Sequence, residues 1–233
     1  AGFAGCASSQ KKLSQAREKD PRNQYSLGVF YLNGGQPAEA VKYLNRSLTL
    51  DPRYYLAHNA LGLAASMQGR LEDAVKHYVR CLEISPDFSE ARNNLGSVYQ
   101  ELGLIDKAES EFLAVIGDRA YPTKELPNYN LARLYFTRGD LDQALSFVDA
   151  AIKLNSRFAM AHNLRGLVLE KQGQPAEAFE SYGRAVKIVP EDVTFNVNLG
   201  AAYLGNGDLE KAGTVLQSVL PKISDPATKD RVN

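Results

Sequence analysis

Residues 55–88 read YLAHNALGLAASMQGRLEDAVKHYVRCLEISPDF, and this stretch decides the fold. Apolar residues recur at three- and four-residue steps on both sides of Gly69, which is the pattern of two helices joined by a tight turn. Shifting the stretch by 34 residues brings the same residue types into register from Pro21 onward, and a fixed period of that length marks a repeat array. The eighth place of successive units holds Gly28, Gly62, Gly96, Ala132, Gly166 and Gly200. Three residues later come Tyr31, Ala65, Tyr99, Tyr135, Leu169 and Tyr203, and the twentieth place is alanine in all six units. Small residues recur where two helices must touch. The turn glycines are Gly35, Gly69, Gly103, Gly139, Gly173 and Gly207, expected where a helix ends in a left-handed conformation that a side chain resists. Pro52, Pro86 and Pro190 close three units, because proline cannot continue a helix.

A small residue at place 8, an aromatic at 11, alanine at 20, a large apolar residue at 24 and proline at 32 resemble the tetratricopeptide pattern over residues 21–226. The resemblance implies an all-α fold, a right-handed solenoid of six tetratricopeptide helical hairpins with no strands. The units are 21–54, 55–88, 89–124, 125–158, 159–192 and 193–226, the third two residues longer than the rest. Arg165 stands where the pattern has leucine and Ser156 replaces a closing proline; neither threatens an array whose stability is spread along its length. Residues 1–20 are polar enough to read as a tether. Residues 227–233 leave little length for the polar cap such arrays need, so the array is expected to end short of one.

The bulk numbers exclude several classes of function. Lys plus Arg and Asp plus Glu both number 27, so no net field draws in nucleic acid or an anionic surface. The two cysteines, Cys6 and Cys81, are too few for a disulfide framework. No run approaches the roughly 18 apolar residues that cross a bilayer. His58 and His162 share the fourth place of their units and read as packing groups, His77 reads as a solvated residue of an outer helix, and three histidines so separated suggest no metal site. Cys81 falls in a small-residue slot shared with Ser47, Val115, Ala151, Ala185 and Val219. The glycines follow repeat spacing and form no phosphate loop. The acidic residues of GRLEDAVKHY and GDLEKAG open second helices, where they favour the helix dipole. The expectation is a binding scaffold without catalytic residues or cofactor.

In the tetratricopeptide family the first helix of each unit lines a groove, and places 2, 5, 9 and 12 share one helical stripe. Here the stripe reads Arg22, Tyr25, Val29 and Leu32, then Leu56, Asn59, Leu63 and Ser66 with Met67 alongside. An apolar stripe on a partly solvent-facing surface suggests docking of a partner at Tyr25, Val29, Leu32, Leu56 and Leu63. The third unit offers Glu90, Asn93, Ser97 and Gln100, better suited to hydrogen bonding an extended peptide. Asn59, Asn93, Asn94, Asn130, Asn163 and Asn198 recur at places 5 and 6; an amide ladder either grips a peptide backbone or is simply tolerated on a half-exposed face. Tyr25 and Val29 stand where chaperone co-factors of this family carry Lys and Asn, which disfavours binding of Hsp70 or Hsp90 tails.

AGFAGC followed by Ala7, Ser8 and Ser9 resembles the end of a bacterial lipoprotein signal, with Cys6 as the lipidated residue. Six tetratricopeptide units behind such a cysteine, and Tyr121–Pro122 at the junction of the third and fourth units, resemble the type IV pilus pilotin lipoproteins. That resemblance implies a non-catalytic scaffold at the periplasmic face of the outer membrane. Its partner is a protein or peptide, a secretin subunit whose targeting or assembly it promotes, and it meets the membrane only through lipid on Cys6. Two alternatives stay open: a cytoplasmic peptide-binding adaptor, and the repeat segment of a larger enzyme such as a glycosyltransferase.

Overall fold

The structure, a computed structural model, describes residues 18–222. Twelve α-helices follow one another with no strand among the described residues. They form six consecutive hairpins: α1 (Pro21–Asn33) with α2 (Pro37–Leu50), α3 (Tyr55–Met67) with α4 (Leu71–Ile84), and α5 (Ser89–Glu101) with α6 (Ile105–Gly117). After these come α7 (Glu125–Arg138) with α8 (Leu141–Leu154), α9 (Ala159–Lys171) with α10 (Pro175–Ile188), and α11 (Val193–Gly205) with α12 (Leu209–Val219). A short 3-10 turn, Leu220–Lys222, ends the described chain. The chain divides into two compact units between Tyr121 and Pro122, three hairpins to each, at the point where the repeat period lengthens.

Each hairpin is closed by a close approach of its two helices. A Cβ added to Gly62 would lie 2.6 Å from the Tyr78 ring, one added to Gly96 2.7 Å from Phe112, and one added to Gly166 2.4 Å from Tyr182. Gly28 and Gly200 meet Leu44 and Leu216 in the same way. The fourth hairpin narrows the difference in size, with Ala132 in place of glycine at place 8 and Val148 in place of a larger residue at place 24, both fully buried in one cluster. What recurs across the contact is a small residue at place 8 facing a larger apolar one at place 24. The six alanines at place 20 are 0–2% exposed, as a tight helix seam requires.

Each turn glycine has a positive φ, from 67° to 85°. The residue after it donates its N–H to the carbonyl five residues back, Gln36 to Tyr31 at 2.8 Å and Arg70 to Ala65 at 2.9 Å, and likewise in every hairpin. This 6→1 bond closes the first helix and requires the left-handed residue before it.

A second recurring device holds the linkers between hairpins. The polar side chain at place 4 donates to the carbonyl six residues back: Gln24 Nε2 to Glu18 at 3.0 Å, His58 Nε2 to Pro52 at 3.4 Å, and Arg92 Nη2 to Pro86 at 3.0 Å. His162 Nε2 reaches Ser156 at 3.0 Å, and Asn196 Nδ2 reaches Pro190 at 2.8 Å. The packing role expected for His58 and His162 is thus a linker clamp. In the fourth hairpin, after the lengthened linker, Asn128 Nδ2 bonds instead to Lys124, four residues back, at 2.7 Å. The departure at Arg165 is satisfied by Asp149 of α8 at 2.7 Å and by the Ser181 hydroxyl of α10 at 2.8 Å.

Gly96→Ala should destabilise the chain by about 1–3 kcal/mol through overpacking against Phe112. Adding Phe112→Val, which recreates the pairing of the fourth hairpin, should recover part of that loss in urea unfolding. Additive losses would mean that the two places are not in contact.

Candidate ligand-binding surfaces

First helices of successive hairpins approach each other directly, α1 with α3 and α3 with α5 in one unit, α7 with α9 in the other. Within each unit these helices form an inner layer, whose exposed stripes are candidate ligand-binding surfaces.

In the N-terminal unit the structure corrects three of the expected docking residues. Leu32 is only 6% exposed, because α3 closes over it with Ala57, Ala60, Leu61 and Ala64; it is core. Asn59 and Asn93 are also buried. Asn59 donates to Glu90 Oε1 at 3.0 Å and accepts from Asn94 Nδ2 at 3.3 Å, so its amide ties neighbouring hairpins together. The C-terminal unit repeats the bond, Asn198 Nδ2 to Asn163 Oδ1 at 2.8 Å. Of the two readings of the asparagines, a third holds for these pairs: they are inter-repeat bonds. Tyr25, Val29 and Leu56 are half-buried, Tyr25 standing edge-on to Tyr54 with ring centroids 5.4 Å apart, and Asn94 and Asn130 are half-buried as well. Leu63 and Met67 are the accessible apolar part of this stripe, 42% and 47% exposed.

The C-terminal unit carries a cleft of about 430 Å³ lined by Phe136, Leu167, Glu170, Lys171, Asn198 and Ala201. Apolar surface comes from Phe136 of α7, Leu167 of α9 and Ala201 of α11. Lys171 holds its ammonium 4.5 Å from the Phe136 ring centroid. Glu170 accepts a 2.6 Å hydrogen bond from the Tyr182 hydroxyl, whose proton is held above the ordinary tyrosine range by burial and by this bond. The cleft can bury one apolar side chain while Lys171 and Asn198 meet main-chain carbonyls at its rim. Sequence reasoning missed it by stopping at the third unit: places 9, 12 and 13 of the later units supply Leu167, Ala201, Phe136, Glu170 and Lys171 by the same stripe rule.

Elsewhere, Cys81 is fully buried and its thiol is pushed up to about 12 by burial, which fits a packing role. His77 is half-buried, not solvated as expected, and faces His58 with Nδ1 to Nδ1 at 3.5 Å. Burial lowers the pKa of both imidazoles below the usual histidine value. Cys6 lies outside the described residues.

Profiles described as tetratricopeptide or TPR repeat match residues 21–54, 67–103, 129–193 and 169–228. The chain is a tetratricopeptide-repeat protein. Solved structures of similar fold include Pseudomonas aeruginosa PilF, with a TM-score of 0.81 at 18% identity over 92% of this chain and 97% of that one. PilW, described as a widely conserved type IV pilus biogenesis factor, gives 0.82 at 17% identity over 91% of this chain and 97% of its own. At such identities the likeness is one of fold. In sequence, 90 residues are 28% identical to the peroxisomal targeting signal receptor of Saccharomyces cerevisiae, a match that spans 15% of that receptor. Tetratricopeptide repeats of this kind are protein-interaction scaffolds.

Leu32→Glu should cost about 3 kcal/mol or more, since it removes a core leucine and buries a charge. Ala201→Glu, on an exposed face of α11, should leave the melting temperature nearly unchanged. Thermal denaturation of the two variants side by side separates core from cleft, and equal losses would place Ala201 in the core.

Proposed function

We propose that this tetratricopeptide-repeat protein is a non-catalytic scaffold of type IV pilus biogenesis, an outer-membrane lipoprotein that binds a secretin subunit and promotes its targeting or assembly. The observation that carries the reading is mutual coverage: PilF and PilW match nearly the whole of this chain with nearly the whole of their own. Nearly full coverage of both chains supports a protein of the same build. The Tyr121–Pro122 insertion and the AGFAGC stretch support it from the sequence. On this reading Cys6 bears the lipid, the protein faces the periplasm, and the secretin segment docks on the inner layer. The cleft of Phe136, Leu167 and Ala201 is the principal docking point, with the exposed Leu63 and Met67 as a second.

A cytoplasmic peptide-binding adaptor is the second reading, favoured by the sequence match to a targeting-signal receptor. Both readings use the cleft; they differ in the anchor and the partner.

Expressed in a piliated bacterium behind its own leader, the protein should incorporate labelled fatty acid, and Cys6→Ser should abolish the label and release it from the membrane fraction. Ala201→Glu should fold normally yet fail to capture the secretin or support ring formation. An unlabelled wild type would refute the lipoprotein assignment, and normal ring formation by Ala201→Glu would refute the cleft as the docking point.

A further inference from the structure

The second hairpin brings together two histidines that stand 19 residues apart in the sequence, His58 at place 4 of α3 and His77 in the middle of α4. The next hairpin shows what a self-satisfied pair looks like at the same two places. There Arg92 and Glu111 form an ion pair at 3.1 Å, opposite charges meeting directly. His58 and His77 offer no such complement. A carbonyl can only accept, so the contact of His58 Nε2 with the Pro52 oxygen keeps the proton on Nε2 and leaves Nδ1 with a lone pair. That lone pair points at His77 Nδ1, 3.5 Å away, with the rings tilted by 36°. A good N–H hydrogen bond is shorter, about 2.7–3.2 Å, so a proton on His77 Nδ1 would satisfy the pair poorly.

The separation fits a different bridge. Two imidazole nitrogens on one tetrahedral ion, each about 2.0–2.1 Å from it, stand about 3.3–3.4 Å apart. We propose that His58 and His77 form a two-imidazole binding site for a late divalent transition-metal ion, of the zinc, nickel and copper class, linking α3 to α4. Imidazole is the ligand type that selects these ions over magnesium or calcium. Among the described residues no group of three or more histidines, cysteines and carboxylates is placed to hold a metal, so solvent supplies the remaining ligands and the site exchanges its ion readily. Asp73, one turn before His77 on α4, lends negative charge nearby while its carboxylate bonds Lys76 at 2.8 Å. Bound ion would stabilise this hairpin by mass action.

The test uses the full chain without an oligohistidine tag, titrated with zinc chloride by calorimetry and with copper(II) followed by electron paramagnetic resonance. One zinc ion should bind per chain, and the copper spectrum should show coupling to two imidazole nitrogens. His77→Gln and His58→Gln should each weaken zinc binding by about tenfold or more. Glutamine at place 4 already makes the linker clamp in the first hairpin, so His58→Gln should keep the fold, with metal-free melting temperatures confirming it. His162→Gln, whose ring bonds the Ser156 linker, should bind zinc as the wild type does. Absence of saturable zinc binding up to millimolar concentration, or unchanged affinity in the His58 and His77 variants, would overturn the proposal. The copper spectrum decides the ligands without recourse to any variant.

Discussion

Everything in this molecule depends on how closely the two helices of a hairpin can approach. The distance is set where a residue without a side chain, or with only a methyl group, faces a large one: Gly62 against Tyr78, Gly96 against Phe112, Gly166 against Tyr182. A tight seam puts the alanines of place 20 out of water and fixes the angle at which the first helix ends. That end must then turn sharply, which is why the following glycine adopts a positive φ in every hairpin. Protein interiors are packed too densely to absorb a misplaced methyl group, so the small–large pairing constrains everything built on it. The fourth hairpin, with Ala132 against Val148, shows that the constraint is a small residue facing a larger one and not a fixed residue identity.

The fold was legible because its determinants are local and repeat. Glycine at places 8 and 15 and alanine at place 20 report backbone contacts and turn conformations, and such requirements leave a direct mark on residue type. The two-residue lengthening and Tyr121–Pro122 marked the point where the chain divides into its two compact units. The surface was legible only in part. A leucine on the inner stripe looks the same in sequence whether a neighbouring helix covers it, as α3 covers Leu32, or solvent does, as at Leu63. Asparagines read as a ladder for a ligand turned out, at Asn59–Asn94 and Asn163–Asn198, to bond across the seam between hairpins. An amide that can grip a foreign backbone can equally grip its neighbour, and only geometry tells which.

The histidines show the same limit. Their separation in sequence argues against a shared role, yet an antiparallel hairpin brings distant positions together by construction. Places 4 and 23 are 19 residues apart and meet in space, as Arg92 and Glu111 confirm one hairpin later. Reading a repeat protein for clusters therefore requires folding the period in half before counting distances.

The linker clamp gives the array a direction. Each linker carbonyl is held by a side chain belonging to the hairpin that follows it, as Pro52 is by His58 and Pro190 by Asn196. Through these place-4 side chains a hairpin secures the exit of its predecessor, and the third hairpin also holds its own exit through Ser89 Oγ to Asp118 Oδ2 at 2.6 Å. As the chain emerges from the ribosome, every newly completed hairpin fastens the one before it, and the growing edge always carries one unfastened exit. Loss of the first hairpin with its linker leaves a side-chain donor, His58, without its carbonyl, whereas loss of the last leaves a carbonyl, that of Pro190, without its donor. The two ends of the array are chemically unlike even where their sequences are alike.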